Sequence, residues 1–205
     1  LFVIKIGGNI IDDDDKLHAF LQQFAALKGN RILVHGGGKL ATRMADQLGI
    51  QQQMVDGRRI TDAETLKVVT MVYAGYINKN IVAQLQSQGC NAIGLTGADG
   101  NLIPAKQRTG TTIDFGFVGD VESLQPATGT WQLLLDNGLV PVIAPITHNR
   151  HGQLLNTNAD TIAQEVALAM STLYKTTLVY SFEKEGVLLD AEDNSTLIPE
   201  IDPEY

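Results

Sequence analysis

The first eight residues constrain the chain most. Phe2-Val3-Ile4-Lys5-Ile6 is an apolar run interrupted once, and Gly7-Gly8 follow directly. Such a run, closed by turn residues, reads as a strand buried on both faces of a parallel sheet. Lys5 lies inside it, and a charge in a core strand is costly unless something pairs with it. Consecutive glycines let the backbone turn sharply and present its N–H groups to a ligand. The stretch therefore offers a positive charge and a bare backbone at the carboxyl end of a strand, where ligands bind in open α/β sheets. The plainer alternative is a strand, a tight turn and a lysine that reaches solvent.

Composition narrows the function classes. The chain has 15 Lys and Arg against 23 Asp and Glu, a formal net charge of −8, which argues against a nucleic-acid surface. Cys90 is the one cysteine, so no internal disulfide and no cysteine-rich metal site is expected. No apolar run reaches the length of a membrane span and the chain opens on a strand rather than a signal peptide. Neither a nucleic-acid nor a membrane partner is expected, and a cytoplasmic protein is the simplest account.

The strand–glycine–helix pattern occurs twice. Asp12 to Asp15 give an acidic helix start, and Leu17, Phe20, Leu21, Phe24 and Leu27 recur at helical spacing before Gly29. Ile32-Leu33-Val34 then runs into His35-Gly36-Gly37-Gly38, followed by a helix with Leu40, Met44 and Leu48 on one face. On neighbouring strands, the two glycine turns would surround one crevice with N–H groups and helix N-termini, a ready anion site. His35 is expected to play a structural part, hydrogen-bonding the loop, because no second histidine stands at ligand spacing.

Met54 to Thr61 reads as a hairpin turning at Gly57 that delivers Arg58 and Arg59. Strand alternation sends their side chains to opposite faces, so at most one points into a shared site. Arginine suits bidentate capture of a carboxylate, though a solvated hairpin pair is the plainer reading. Thr61-Asp62-Ala63-Glu64 resembles a capping box opening a long helix. Further strands are expected at 91–96, 139–144 and 177–180, with a hairpin over 115–121 covering one edge of the site. Asn156, Asn158 and Asp160 stand just before a helix over 161–170. Whether extended or helical, the segment makes two or three of these polar groups converge, and one of them is expected to serve as the helix cap.

Lys-x-Gly-Gly (5–8), His-Gly-Gly-Gly (35–38), Gly-Arg-Arg-Ile-Thr (57–61), Gly-x-Asp-Gly-x-Leu-Ile (97–103), Gly-Phe-Val-Gly-x-Val (116–121) and Asn-x-Asn-Ala-Asp (156–160) occur in this order. Together they resemble the amino acid kinase family, from Phe2 to about Val187. The resemblance implies an α/β fold, a three-layer αβα sandwich around a mostly parallel central sheet. Residues 1–150 would form the acyl-amino-acid-binding part. Residues 151–205 would begin the nucleotide-binding part, which is incomplete relative to the family and lacks a second catalytic lysine. The implied activity is phosphorylation of the γ-carboxylate of N-acetyl-L-glutamate by ATP in arginine biosynthesis, with Mg2+ held mainly by the nucleotide phosphates.

The same resemblance assigns roles. Lys5 would stabilise the transferring phosphoryl group and Asp160 would orient the catalytic lysines. Gly7 and Gly8 would touch phosphate oxygens, and Ser181 and Phe182 would lie at the nucleotide. Gly37 and Gly38 would hold substrate around the reacting carboxylate, with Arg59 on its α-carboxylate and Asn156 beside it. A carboxylate is already nucleophilic at neutral pH, so the work is to hold anions together and neutralise spreading charge. That agrees with the lack of a Ser-His or Cys-His constellation. A homodimer is implied as well, and the helix from Asp62 to Ile77 carries apolar Met71, Val72 and Tyr76 on more than one face. Alternatives are an N-succinylglutamate substrate, another acceptor of the same fold, or a non-catalytic binding or regulatory module. The segment 180–187 departs from the family pattern near the adenine.

Overall fold

Five strands form one parallel sheet, with the lysine-bearing first strand flanked on both sides. The computed structural model describes residues 1–201 apart from 56, 57, 111, 123, 125–127, 182, 183, 185, 191 and 192. The expected turn at Gly57, the expected nucleotide contact Phe182 and the side chain of Arg58 lie outside the described residues. In chain order the strands are β1 (Phe2–Ile6), β2 (Arg31–His35), β3 (Gln53–Val55), β4 (Arg58–Ile60), β5 (Ala92–Leu95), β6 (Ala105–Gln107), β7 (Gly119–Val121), β8 (Val140–Ile143), β9 (Ile146–His148), β10 (Leu154–Asn156) and β11 (Thr177–Ser181). The α-helices are α1 (Gly8–Ile11), α2 (Asp14–Ala26), α3 (Gly38–Gln47), α4 (Ala63–Thr70), α5 (Asn78–Ser87), α6 (Thr128–Asp136) and α7 (Ala159–Met170). The main sheet has the order β11-β1-β2-β8-β5, with every pairing parallel.

Side-chain alternation along these strands divides the core into two layers. Ile4, Ile6, Leu33 and Val142 face one side, against Leu17, Leu21 and Phe24 of α2 and Ile81 and Leu85 of α5. Val3, Ile32, Val34 and Ile143 face the other, against Trp131 of α6 and Ile162, Val166 and Met170 of α7. Helices on both faces of a parallel sheet make the three-layer αβα sandwich. Each hairpin, β3–β4, β6–β7 and β9–β10, is antiparallel. Single bridges Thr61–Gly116, Pro104–His148 and Val118–Asn156 join them. Because β9 begins just after β8 and β10 ends just before α7, the β9–β10 hairpin stands at the carboxyl end of the sheet, and the bridges join the other hairpins to it.

Several local expectations change. Gly8–Ile11 is already a helical turn, so α2 starts afresh with Asp13 as N-cap, its side chain accepting the Lys16 N–H. In α3 the buried residues are Ala41 and Ala45, whereas Met44 and Leu48 are exposed. Small side chains face the core there because the helix packs closely, and the expected Met44/Leu48 face points outward. Asp62, not Thr61, caps α4 by accepting the Thr65 N–H at 2.8 Å. Thr61 is fully buried instead. The helix read over Asp62 to Ile77 does not end there: α4 continues through a π-helical stretch, Met71–Ile77, straight into α5.

Candidate active site

Lys5 shares a strand face with Val3 and so points toward α7. Its Nζ lies 2.7 Å from Asp160 Oδ1, with the lysine side chain 14% exposed and the aspartate 52%. The pairing resolves the cost of a charge in a core strand. Asn158 caps α7 by accepting the Thr161 N–H at 3.0 Å, and Asp160 stands in its first turn, where the helix dipole favours a negative charge. Of the three polar residues, one thus caps, one pairs with the lysine, and Asn156 donates to Thr61 Oγ1 at 3.0 Å.

Two glycine turns flank this ion pair. The Gly7 N–H donates to the Ser181 carbonyl at 3.3 Å, so it is not free for a ligand in this conformation. Gly8, Gly37 and Gly38 are at helix starts, where N–H groups lack intrahelical partners, and no other backbone acceptor takes them among the described residues. Gly37 has φ of 141°, and a Cβ there would collide with the Ile77 side chain. Only glycine fits that position. Lys39 Nζ donates to Asn9 Oδ1 at 2.5 Å and ties the two turns together.

His35 is fully buried beneath the second turn. Asn78 Nδ2 lies 3.1 Å from its Nε2 and donates also to the Val142 carbonyl at 2.9 Å. Nε2 is therefore the acceptor, and Nδ1–H donates to the Gly36 carbonyl at 2.9 Å. Burial lowers the His35 pKa from 6.5 to about 4, keeping the ring neutral in this structural role.

A cavity of about 200 Å³ opens beside the turns and is lined by Gly36 to Gly38, Arg59, Asn156, Tyr73 and Arg108, among others. Arg59 is 8% exposed. Its Nη2 donates to the Gly38 carbonyl at 3.0 Å and to Thr42 Oγ1 at 2.9 Å, and its Nη1 donates to Gln52 Oε1. Burial raises the Tyr73 pKa, against the opposing pull of Arg59. Ser181 ends β11 beside β1, opposite Ile6. The structure thus gathers Gly37, Gly38, Arg59 and Asn156 around one cavity, with Gly7, Gly8, Lys5 and Asp160 at the ends of adjoining elements. Sequence reasoning missed Arg108 and the cavity role of Tyr73. Arg108 lies in a polar stretch without periodicity, and Tyr73 reads as one more apolar helix position.

A fixed cation, two bare glycine turns and a cavity holding a guanidinium define an anion-handling crevice at the carboxyl end of a parallel αβα sheet. Residues 1–204 match the amino acid kinase family, and the chain belongs to that family. It is 57% identical over 205 residues to the acetylglutamate kinase of Cytophaga hutchinsonii, covering 100% of this chain and 77% of that protein. It is 56% identical over 204 residues to the acetylglutamate kinase of Phocaeicola vulgatus, covering 100% and 79%. Among solved structures, smu.665 from Streptococcus mutans superimposes with a TM-score of 0.75 at 25% identity, over 91% of this chain and 74% of that one.

Proposed function

We propose that the protein is a phosphotransferase that uses ATP to phosphorylate the γ-carboxylate of N-acetyl-L-glutamate, a step in arginine biosynthesis. The relatives named acetylglutamate kinase support the activity. The observation that carries the reading at the level of atoms is the Lys5–Asp160 pair at 2.7 Å, set beside two glycine turns.

In this reading Arg59 grips the α-carboxylate and Asn156 donates to the same molecule. Gly37 and Gly38 surround the reacting γ-carboxylate, which attacks without a general base. Gly8, beside Gly7, offers N–H groups to phosphate oxygens. Lys5, oriented by Asp160, neutralises charge that grows on the transferring phosphoryl group. In the same reading residues 1–150 hold the acyl amino acid, and 151–205 belong to the nucleotide part, with Ser181 near the nucleotide. In this reading Mg2+ is held mainly by the nucleotide phosphates. A biosynthetic reaction that consumes ATP supports a cytoplasmic location.

The test is ADP release by the full-length gene product with different acceptors. N-acetyl-L-glutamate should stimulate it and free glutamate should not; equal stimulation by both would remove the reading. Assembly follows the same reading. Met71 and Tyr76 are 59% and 67% exposed on the helical surface, and we infer that a homodimer covers them. Light scattering should give twice the protomer mass, and Tyr76→Glu should lower it; a wild-type monomer would refute this.

A further inference from the structure

The two glycine turns are joined to each other at both ends. At their base the join is made by backbone: Ile6 pairs with His35 across the sheet, and the Gly36 N–H donates to the Ile6 carbonyl at 3.1 Å. Past that point each turn runs into its own helix, α1 after Gly7 and α3 after Gly37. Polar side chains then join the two helices at two levels. Lys39 Nζ donates to Asn9 Oδ1 at 2.5 Å. One helical turn further on, Arg43 Nη2 lies 3.6 Å from Asp12 Oδ1. Residues 39 and 43 are four apart and residues 9 and 12 three apart, so each pair shares one helix face. The Asp12 side chain is 14% exposed, and its carboxylate oxygens accept no hydrogen bond from the described residues. Its Oδ2 lies 3.4 Å from the place that a Cβ on Gly8 would occupy. Arg43 therefore supplies the counter-charge to a largely buried carboxylate set against the Gly8 turn.

In the phosphotransferase reading, on which this inference rests, Gly8 faces phosphate oxygens while Gly37 and Gly38 surround the attacking carboxylate. The spacing of the two turns is then the spacing of nucleophile and phosphorus. A misplacement of about 1 Å in such a geometry can cost about 100-fold in rate. The same ties add little to folding stability. Lys39 is exposed and the Arg43 side chain is 64% exposed, and solvated polar pairs of this kind are weak. Their value lies in where they stand, at the free ends of two turns whose other ends the sheet already holds. We propose that Lys39 and Asn9, with Arg43 and Asp12 behind them, are positioning residues that fix the distance between the acceptor turn and the phosphoryl turn.

The competing role for Lys39 is direct contact of its ammonium with the phosphates. Steady-state kinetics of the full-length gene product with MgATP and N-acetyl-L-glutamate, run beside urea unfolding, separate the two. Lys39→Met and Asn9→Leu should each lower kcat by about tenfold or more. Both KM values should stay within about threefold of the wild type, as for an effect felt in the transition state alone, and the urea midpoint should barely move. The double variant should lose no more than the weaker of the two single variants, because each substitution removes the same tie. Lys39→Arg keeps a donor within reach of Asn9 and should recover most of the rate. An unchanged kcat in either single variant, or losses that multiply in the double variant, would overturn the proposal. So would a rise in KM for ATP in Lys39→Met with Asn9→Leu unaffected, which would place the ammonium on the phosphates. A fall in urea midpoint that matches the loss of rate would reduce the tie to a structural one and overturn it too. No turnover by the wild type would remove the phosphotransferase reading and this inference with it. Wild-type turnover with both single variants at full rate would remove this inference alone.

Discussion

Replacing Arg59 with alanine tests the substrate site at its best-defined contact. The guanidinium is held before any substrate arrives: Gly38 and Thr42 accept from Nη2 at 3.0 and 2.9 Å, and Gln52 accepts from Nη1. Little reorganisation remains to be done on binding, so most of the contact energy reaches the affinity. Truncating a desolvated guanidinium–carboxylate contact costs about 2–4 kcal/mol. At about 1.4 kcal/mol per decade this is about 30- to 1,000-fold in binding. Arg59→Ala should raise KM for the acylglutamate within that range, with a smaller change in KM for ATP. The same cut leaves the Gln52 amide oxygen without its donor and the Gly38 carbonyl with the Thr42 hydroxyl in place of two side-chain donors, so stability should fall by about 1–3 kcal/mol. Arg59→Lys should recover part of the affinity but not the paired geometry. Coupled initial-rate assays and urea unfolding read both quantities. A KM change confined to ATP, or no change in either KM, would refute this placement of the carboxylate.

Two further outcomes follow from the geometry. Lys5→Ala should lower kcat by about 10²–10³-fold, the loss of one preorganised donor to developing charge, with KM for the acylglutamate little changed; an unaltered kcat in steady-state assays would remove Lys5 from the mechanism. His35 gives a pH signature. Burial places its folded pKa at about 4, below the ordinary 6.5. Between those values the unfolded chain takes up a proton that the folded chain refuses. The contribution of His35 is therefore complete above pH 6.5 and lost as pH falls toward 4, amounting to about 3 kcal/mol. Urea unfolding at pH 7 and pH 4 should show that loss in the wild type, and His35→Gln should lack it; equal pH dependence in the two would contradict the buried neutral ring.

What was legible in the sequence was mostly local. The run from Ile32 to Gly38 carries strand, turn and helix start in adjacent residues and forms as read, whereas the run from Phe2 forms its strand as read but enters a helical turn already at Gly8. That one of Asn156, Asn158 and Asp160 caps the following helix was legible from the run; the structure selects Asn158. Lys5 announces a partner because it is a charge in a core strand, but only the packing of α7 on β1 selects Asp160. Errors arose where tertiary contact overrode a local pattern. Thr61 is drawn into the core between the hairpins and leaves the cap to Asp62. Ala41 and Ala45 pack inward because α3 sits close to the core, although Met44 and Leu48 have the larger apolar surface. Arg108 was invisible because its cavity is assembled from segments between Gly36 and Thr161 that are far apart in sequence, and nothing in the stretch 106–112 has a period to betray it.

The central claim is that a substrate carboxylate accepts the phosphoryl group. Hydroxylamine trapping tests it most directly. The full-length gene product, incubated with MgATP, N-acetyl-L-glutamate and hydroxylamine, should form the γ-hydroxamate in step with ADP, and Lys5→Ala should slow both together. ADP release without hydroxamate would contradict the account.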